Sequence, residues 1–398
     1  MSNAHIKRQI SSLIDDELSQ ERPMIILILG QRRSGKTWEL RRLEKEREEV
    51  LYFDFEDISQ RNILQPVIAG LEEIIGEKSG VRLLALDEIQ YLDQAGSILK
   101  LIYDYFPQTS VVVTGSASFF MMRNIGDSLY GRHLSLNLFP LTFREIVGEA
   151  ANLDYILSGY DNPLVRTRIE EIIPTACVYG TLPEVYLEGN RERKQAILKN
   201  YVTSLLFKDI FEIEGIRNPR VFQKLLQFLG LQLGSEINPN EIARQLGISR
   251  RTVLEYIGLY EKFHILHLLR SYSTNPRKEI SKGFKVYFSD LGIRNAVINN
   301  FTPVDSRTDR DGMFENLVIN LFTQNRSYFS LPWELYFWRN TAHAEVDLVI
   351  HNTETGKLTP VEIKYSHDKK PTRSFANIYN NRVEEGHCVT SKNLWRYI

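Results

Sequence analysis

Apolar residues are spaced in two different ways along this chain. Residues 24–29 form one continuous apolar run, and 50–53, 83–86 and 110–114 form others of strand length. His133–Leu138 read as a fifth strand. Between these runs, 36–48, 63–75 and 95–106 carry helical spacing, and 7–20 read as a short amphipathic lead helix. Short apolar runs separated by helices predict a parallel sheet buried on both faces.

After residue 140 the pattern changes. Residues 142–214 read as helices only. Ile197, Tyr201 and Leu205, with Leu198, Val202 and Leu206, recur at three-to-four spacing, the stripe of an amphipathic helix. Pro219 opens three short helices that reach about residue 264. Strand patterns return from 265, with one helix near 313–325. The pattern shifts near 142, 216 and 275, with no internal repeat and no low-complexity stretch.

At roughly 100–200 residues per domain, 398 residues predict two to four domains. Hydrophobic residues make up 43% and charged residues 25%, which suffices for ordinary buried cores. The formal net charge of -1 excludes a global basic footprint for nucleic acid and leaves only local patches. Cys177 and Cys388 are far apart and lack metal-ligand spacing, as expected of reduced thiols in a cytoplasmic protein. The apolar run at 24–29 is too short for a membrane span, and the N-terminus lacks a signal-peptide core, so no membrane partner is expected.

Residues 30–37 read Gly30, Gln31, Arg32, Arg33, Ser34, Gly35, Lys36, Thr37, which fits G-x-x-x-x-G-K-S/T between a buried strand and a helix. Glycines let backbone amides curl around phosphates, and the helix N-terminus adds partial positive charge. Lys36 is the candidate for the β- and γ-phosphates of ATP, and the Thr37 hydroxyl for Mg²⁺. Asp87 and Glu88 end the run at 83–86, which puts carboxylates on the ligand side of an α/β sheet. Asp87 is expected to hold Mg²⁺ and Glu88 to orient the attacking water. Phosphoryl transfer needs mainly positioning and charge stabilisation. Thr114 and Ser116 follow the next strand as candidate γ-phosphate sensors, with a plain polar turn as the alternative. Arg132 is a candidate γ-phosphate contact, in cis or from a neighbouring copy, or else an ordinary surface arginine.

The phosphate loop, Leu-Asp-Glu-Ile-Gln at 86–90, Thr-Gly-Ser at 114–116, Gly-Arg at 131–132 and the following Phe-Pro-Leu-Thr-Phe-Arg-Glu resemble a family of uncharacterised prokaryotic AAA+ superfamily ATPases. Tyr-Gly-Thr-Leu-Pro-Glu at 179–184, Lys-Asp-Ile at 208–210, Lys-Val-Tyr-Phe-Ser-Asp-Leu-Gly at 285–292 and Phe-Glu-Asn at 314–316 extend the resemblance over nearly the whole chain. It implies a nucleotide-binding core, a helical lid, ATP hydrolysis and a C-terminal domain of unsettled function. Rings are common in that superfamily. This sequence carries no sign of one, and a homo-oligomer is left open.

Residues 219–288 read independently as a winged helix. Asn238, Pro239 and Glu241 suit a helix start, Gly247 its end, and Ser249 the next cap. Arg250, Arg251, Arg277 and Lys278 are candidate DNA phosphate contacts on the recognition helix and wing tip. A protein-interaction module is the alternative.

The last 90 residues hold a second constellation. Glu315 lies on a helix, Asp347 in one strand, and Glu362 and Lys364 on one face of another. Helix, acid-bearing hairpin and Glu-x-Lys resemble the PD-(D/E)xK nuclease core, with Val346 where that name has proline. Asp347 and Glu362, helped by Glu315, are the expected Mg²⁺ ligands, and Lys364 the group that orients water.

The expected architecture is therefore α/β. A P-loop, AAA+ type parallel-sheet ATPase core (1–141) precedes a helical lid (142–215), a winged helix (216–288) and an α/β PD-(D/E)xK-like domain (289–398). The leading functional expectation is an ATPase that acts on DNA. Its alternative is an ATP-gated interaction switch with an inert terminal domain.

Overall fold

The computed structural model describes residues 6–61, 68–76, 80–115, 129–148, 163–206, 210–211, 216, 218–273 and 283–398. Ser116, the wing-tip residues Arg277 and Lys278, and the Lys208–Asp209 motif lie outside the described residues. The chain divides into two compact units. One comprises residues 7–140 with 262–264, and the other gathers Leu141–Glu261 and Ile265–Ile398.

The first unit is built on five parallel strands: β1 (Ile25–Leu29), β2 (Val50–Asp54), β3 (Leu83–Asp87), β4 (Ser110–Gly115) and β5 (His133–Asn137). Their order is β2-β3-β4-β1-β5. The helices are α1 (Gln9–Leu18), α2 (Lys36–Glu46), α3 (Ile68–Ile75) and α4 (Ala95–Tyr105). Alternation within each strand sends Ile25, Leu27, Leu84, Leu86, Val111 and Val113 into one core with Ile98, Leu99 and Ile102 of α4. Ile26, Ile28, Ala85 and Val112 are buried on the opposite face, and α2 packs on β2, β3 and β4. Burial on both faces is why these strands read as unbroken apolar runs. A sheet of this kind gathers its functional loops at the carboxyl ends of the strands.

Among the described residues, the second unit opens with the helices α5 (Phe143–Gly148), α6 (Pro163–Tyr179), α7 (Pro183–Leu187) and α8 (Arg191–Asn200). Three more follow: α9 (Pro219–Leu231), α10 (Pro239–Leu246) and α11 (Arg250–Lys262). Their caps form as the sequence prescribes. The Asn238 side chain accepts from the Asn240 and Glu241 amides, Gly247 turns left-handed at φ 66°, and Ser249 Oγ accepts from the Thr252 amide.

Strands β6 (Glu236–Ile237), β7 (Leu266–Ser271) and β8 (Phe284–Phe288) precede α12 (Leu291–Val297) and α13 (Arg310–Tyr328). Strands β9 (Trp333–Arg339), β10 (Glu345–Asn352) and β11 (Leu358–Ile363), then α14 (Arg373–Tyr379) and β12 (His387–Val389), complete the unit. All seven strands share one sheet, in the order β12-β11-β10-β9-β7-β8-β6. Residue 288 is thus no break in the sheet. Arg270 and Ser271 of β7 pair with Tyr336 and Phe337 of β9, and the Tyr272 amide donates to the Phe337 carbonyl at 2.7 Å.

Two of the motif stretches noted above are locks within this unit. The Asp290 carboxylate caps α12 at the Ile293 amide, 3.1 Å away, and accepts from the Thr181 amide at 2.7 Å. Asn316 of α13 brackets Phe288, accepting from its amide and donating to its carbonyl, each at 2.8 Å. No helix among the described residues is long and apolar enough to cross a membrane.

Candidate functional site

The loop after β1 is shaped by its own sequence. A Cβ on Gly30 would overlap the Leu138 carbonyl, so only glycine lets the chain turn there. Arg33 is left-handed at φ 65°, and Gly35 has φ 107°. Such alternation of hand turns successive amides into an anion-binding concavity. Lys36, 7% exposed, folds back and donates to the carbonyls of Gly30 at 3.0 Å and Gln31 at 3.2 Å. Gln31 is buried with neither amide atom hydrogen-bonded, and Ser34 Oγ is likewise buried and unpartnered. Arg32 pairs loosely with Glu56 at 3.7 Å. Thr37 stands exposed in the first turn of α2.

β3 brings two acids to the same edge. Asp87, 1% exposed, accepts from the Tyr52 hydroxyl at 2.9 Å and from the Thr114 hydroxyl. The Glu88 amide donates to the same Thr114 oxygen at 3.1 Å, and the residue is left-handed at φ 51°. Burial raises the Glu88 carboxyl above its usual range, and Lys36 and a hydrogen bond from Gln90 partly oppose the rise. Lys36 follows β1 and Glu88 follows β3, and the ammonium lies close enough to act on that carboxyl, with Asp87 beside it.

Two expectations need correction. Thr114 does not aim its hydroxyl at a ligand, because Asp87 and Glu88 already occupy it. Arg132 cannot reach the loop in cis. Its carbonyl accepts from the Ile25 amide where β1 begins, one strand length (roughly 15 Å) from the loop that follows Leu29. Its guanidinium is paired with Asp104 at 3.0 Å.

In the second unit, β10 and β11 put Asp347 and Glu362 one step beyond the Leu348–Val361 pair. The register of β10 against β9 slips between Val346 and Val349, a bulge of the kind that re-aims side chains. Asp347 Oδ2 accepts from the Ile363 amide at 2.8 Å and from Lys364 Nζ at 2.7 Å. Glu362 accepts from Lys369 at 3.0 Å and has Lys364 at 3.6 Å, while its Oε1 is buried without a partner. Burial and the facing Asp347 both raise the Glu362 carboxyl. Burial pulls the Lys364 ammonium down, but Asp347, Glu362 and Glu315 outweigh it and raise it.

Glu315 belongs to a neighbouring arrangement. It accepts from Lys285 Nζ at 3.1 Å and from the Tyr287 hydroxyl at 2.5 Å, and Lys285 also pairs with Glu345 at 2.6 Å. The expected trio of Asp347, Glu362 and Glu315 is thus not assembled. Among the described residues, no three His, Cys, Asp or Glu side chains are arranged to hold a metal ion. The orphaned Oε1 of Glu362, facing Asp347, is an acceptor that fits a hard cation. Lys285 and Tyr287 were missed in the sequence. Their signal is polar residues two apart in an otherwise apolar strand, which demand buried partners.

Arg250 and Arg251 are exposed at the start of α11, and Arg251 pairs with Glu255 at 2.8 Å. Exposed pairs of this kind hold an arginine only weakly.

The first unit is a phosphate-loop α/β fold. Residues 22–147 match the family described as AAA domain. Residues 170–304 and 310–394 match two further families, each described as a domain of unknown function (DUF8612 and DUF4143). The chain thus joins an AAA domain to two domains of unknown function.

An uncharacterized protein of Methanocaldococcus jannaschii is 27% identical over 334 residues, covering 82% of this chain and 72% of that protein. One of Haemophilus influenzae is 25% identical over 317 residues, covering 75% of each. One of Mycobacterium tuberculosis is 22% identical over 357 residues, covering 89% of this chain and 73% of that protein. Among solved structures, the Aeropyrum pernix ORC1 protein in complex with DNA aligns at 16% identity and TM-score 0.31, covering 73% of this chain and 91% of that one. AMPPCP-bound DnaA from Aquifex aeolicus aligns at 16% identity and TM-score 0.27, covering 64% and 88%.

Proposed function

We propose that the AAA domain binds ATP with Mg²⁺ and hydrolyses it. The observation that carries this reading is the loop lysine Lys36 acting on the half-buried Glu88, which follows the buried Asp87 at the end of β3. Gly30, Gln31, Arg32, Arg33, Ser34 and Gly35 would cradle phosphates through their amides, and Lys36 would exchange its loop carbonyls for phosphate oxygens. Thr37 and Asp87 would hold Mg²⁺, which supplies charge neutralisation at the transferred phosphate. Glu88 would orient water, and Ser116 would sense the γ-phosphate. Arg132 could serve only from a neighbouring copy in a homo-oligomer. Lys36→Ala should lose ATP binding. Glu88→Gln should bind ATP yet turn it over about 10²–10⁴-fold more slowly, as measured by phosphate release. Unimpaired turnover in Glu88→Gln would remove that assignment.

For the remainder we propose a helical lid (142–215), a winged helix (216–288) and a nuclease-like segment (289–398) that act on DNA. The layout of β6, α10, α11 and the β7–β8 hairpin supports the winged helix. Arg250, Arg251, Arg277 and Lys278 would contact phosphates, which gives binding a steep salt dependence. Asp347 and Glu362 would hold a divalent ion that stabilises charge on a scissile phosphate, with Lys364 placing water. Incubation with linear, circular, single-stranded and branched DNA tests this, with Asp347→Ala as control. Cleavage lost in Asp347→Ala supports the reading.

A second reading, an ATP-gated interaction switch with an inert terminal segment, is favoured by the lysines already seated on Asp347, Glu362 and Glu315. ATP hydrolysis without cleavage of any of these DNAs would select it.

A further inference from the structure

Arg8 immediately precedes α1, outside the strand, loop and acids that define the nucleotide site, yet it is only 4% exposed. Arginine is rarely buried unless its donors are met. Nη1 donates to the Ser34 carbonyl and Nη2 to the Phe139 carbonyl, each at 2.7 Å. One planar fork therefore joins the phosphate loop to the segment that follows β5. A Cβ on Gly35 would come within 3.0 Å of Nη1, so this close approach also favours glycine there.

The arginine is itself held in place. Ser11 Oγ of α1 donates to both oxygens of the buried Glu39 on α2, at 3.0 Å each. Arg42 of α2 pairs with Glu39 at 3.1 Å and with Asp15 of α1 at 3.2 Å, and Arg47 reaches Asp15 at 2.8 Å. The helix carrying Arg8 is thus fastened to the helix that the phosphate loop opens.

Peptide geometry links this contact to ligand binding. The Ser34 carbonyl and the Gly35 amide belong to one planar trans peptide, so they point in opposite directions. Drawing the oxygen toward Arg8 fixes the Gly35 N–H on the other side of the peptide plane. The guanidinium also leaves fixed positive charge behind an anion-binding loop.

We propose that Arg8 is a positioning residue of the nucleotide site, which locks the Ser34–Gly35 peptide in the orientation that receives phosphate. The inference rests on the ATP-binding reading. It is tested by titrating the full-length protein with a fluorescent ATP analogue and measuring KM and kcat, well below the melting temperature. Arg8→Ala should weaken nucleotide affinity about ten- to a hundred-fold, the loss expected for a charged hydrogen bond, and raise KM more than it lowers kcat. Arg8→Lys should recover only part of the loss, because one ammonium cannot span both carbonyls. Ser12→Gly, at an exposed position of α1 away from the contacts that hold Arg8, weakens the helix without touching the loop and should bind ATP within about two-fold of wild type.

Wild-type affinity in both Arg8 variants overturns the proposal. So does an equal loss in Ser12→Gly, which would assign the effect to the helix alone. If Arg8→Ala does not fold, Arg8→Lys decides by the same criterion. A wild type that binds no nucleotide, or that is matched by Lys36→Ala, overturns the ATP reading and the clamp with it.

Discussion

Asp87 accepts a hydrogen bond from the Tyr52 hydroxyl at 2.9 Å, so the acid ending β3 is tethered by its neighbour β2. Thr114 of β4 holds the other carboxylate oxygen and receives the Glu88 amide. Three adjacent strands thus fix the two acids before any ligand arrives, and such preorganisation is what electrostatic catalysis requires. Tyr52→Phe removes one of these bonds and should cost about 0.5–1.5 kcal/mol of stability. Thr114→Val removes two and should cost more. Both should lower turnover with a smaller change in ATP affinity. Thermal melts and steady-state kinetics on the two variants check this.

Gly180 and Asp290 tie two distant motifs together. Gly180 is left-handed at φ 70°, and a Cβ there would overlap the Asp290 carboxylate. Gly180→Ala should therefore destabilise the second unit by about 2–5 kcal/mol, from a disfavoured backbone and overpacking. The drop would be read in thermal or urea melts.

Lys285 is buried between Glu315 and Glu345. Lys285→Met leaves the buried Glu315 without its cation while Glu345 keeps Arg339 at 3.8 Å, and breaking a buried pair in this way costs about 3–5 kcal/mol. Adding Glu315→Gln to that variant should recover part of the loss. A double-mutant cycle by urea unfolding measures the coupling.

His267 packs against the Tyr287 ring at 5.8 Å, and its Nε2 is sealed from water without a partner. Burial lowers its pKa to about 4, from an ordinary value of 6.5. Between those values the unfolded chain takes up a proton that the folded chain refuses. Stability is therefore full above about pH 6.5 and falls as pH drops toward 4, by up to about 3 kcal/mol. His267→Phe should flatten that part of a stability–pH profile measured by urea unfolding.

The first unit was legible because its signals are local. The apolar runs, the loop glycines and the acids after Leu86 each declare themselves within a few residues. What stayed hidden depends on distant pairing. Arg8 lies 26 residues from the carbonyl that it holds, and Lys285 lies 30 residues from Glu315. The distance of Arg132 from the loop follows from β5 joining β1 in parallel, which no periodicity records. The stretches at 179–184 and 285–292 stood out in sequence, but their meaning appears only where Asp290 meets the Thr181 amide. Strand patterns likewise do not say that β7 and β9, on either side of residue 288, share one sheet.

The central claim is that Lys36, Asp87 and Glu88 make an ATP-hydrolysing site. Phosphate release from ATP with and without Mg²⁺, by wild type, Lys36→Ala and Glu88→Gln, tests it most directly. The account predicts Mg²⁺-dependent release by wild type, loss of both binding and release in Lys36→Ala, and retained binding with little release in Glu88→Gln. Release that persists in Lys36→Ala, or a wild type that releases none, would contradict it.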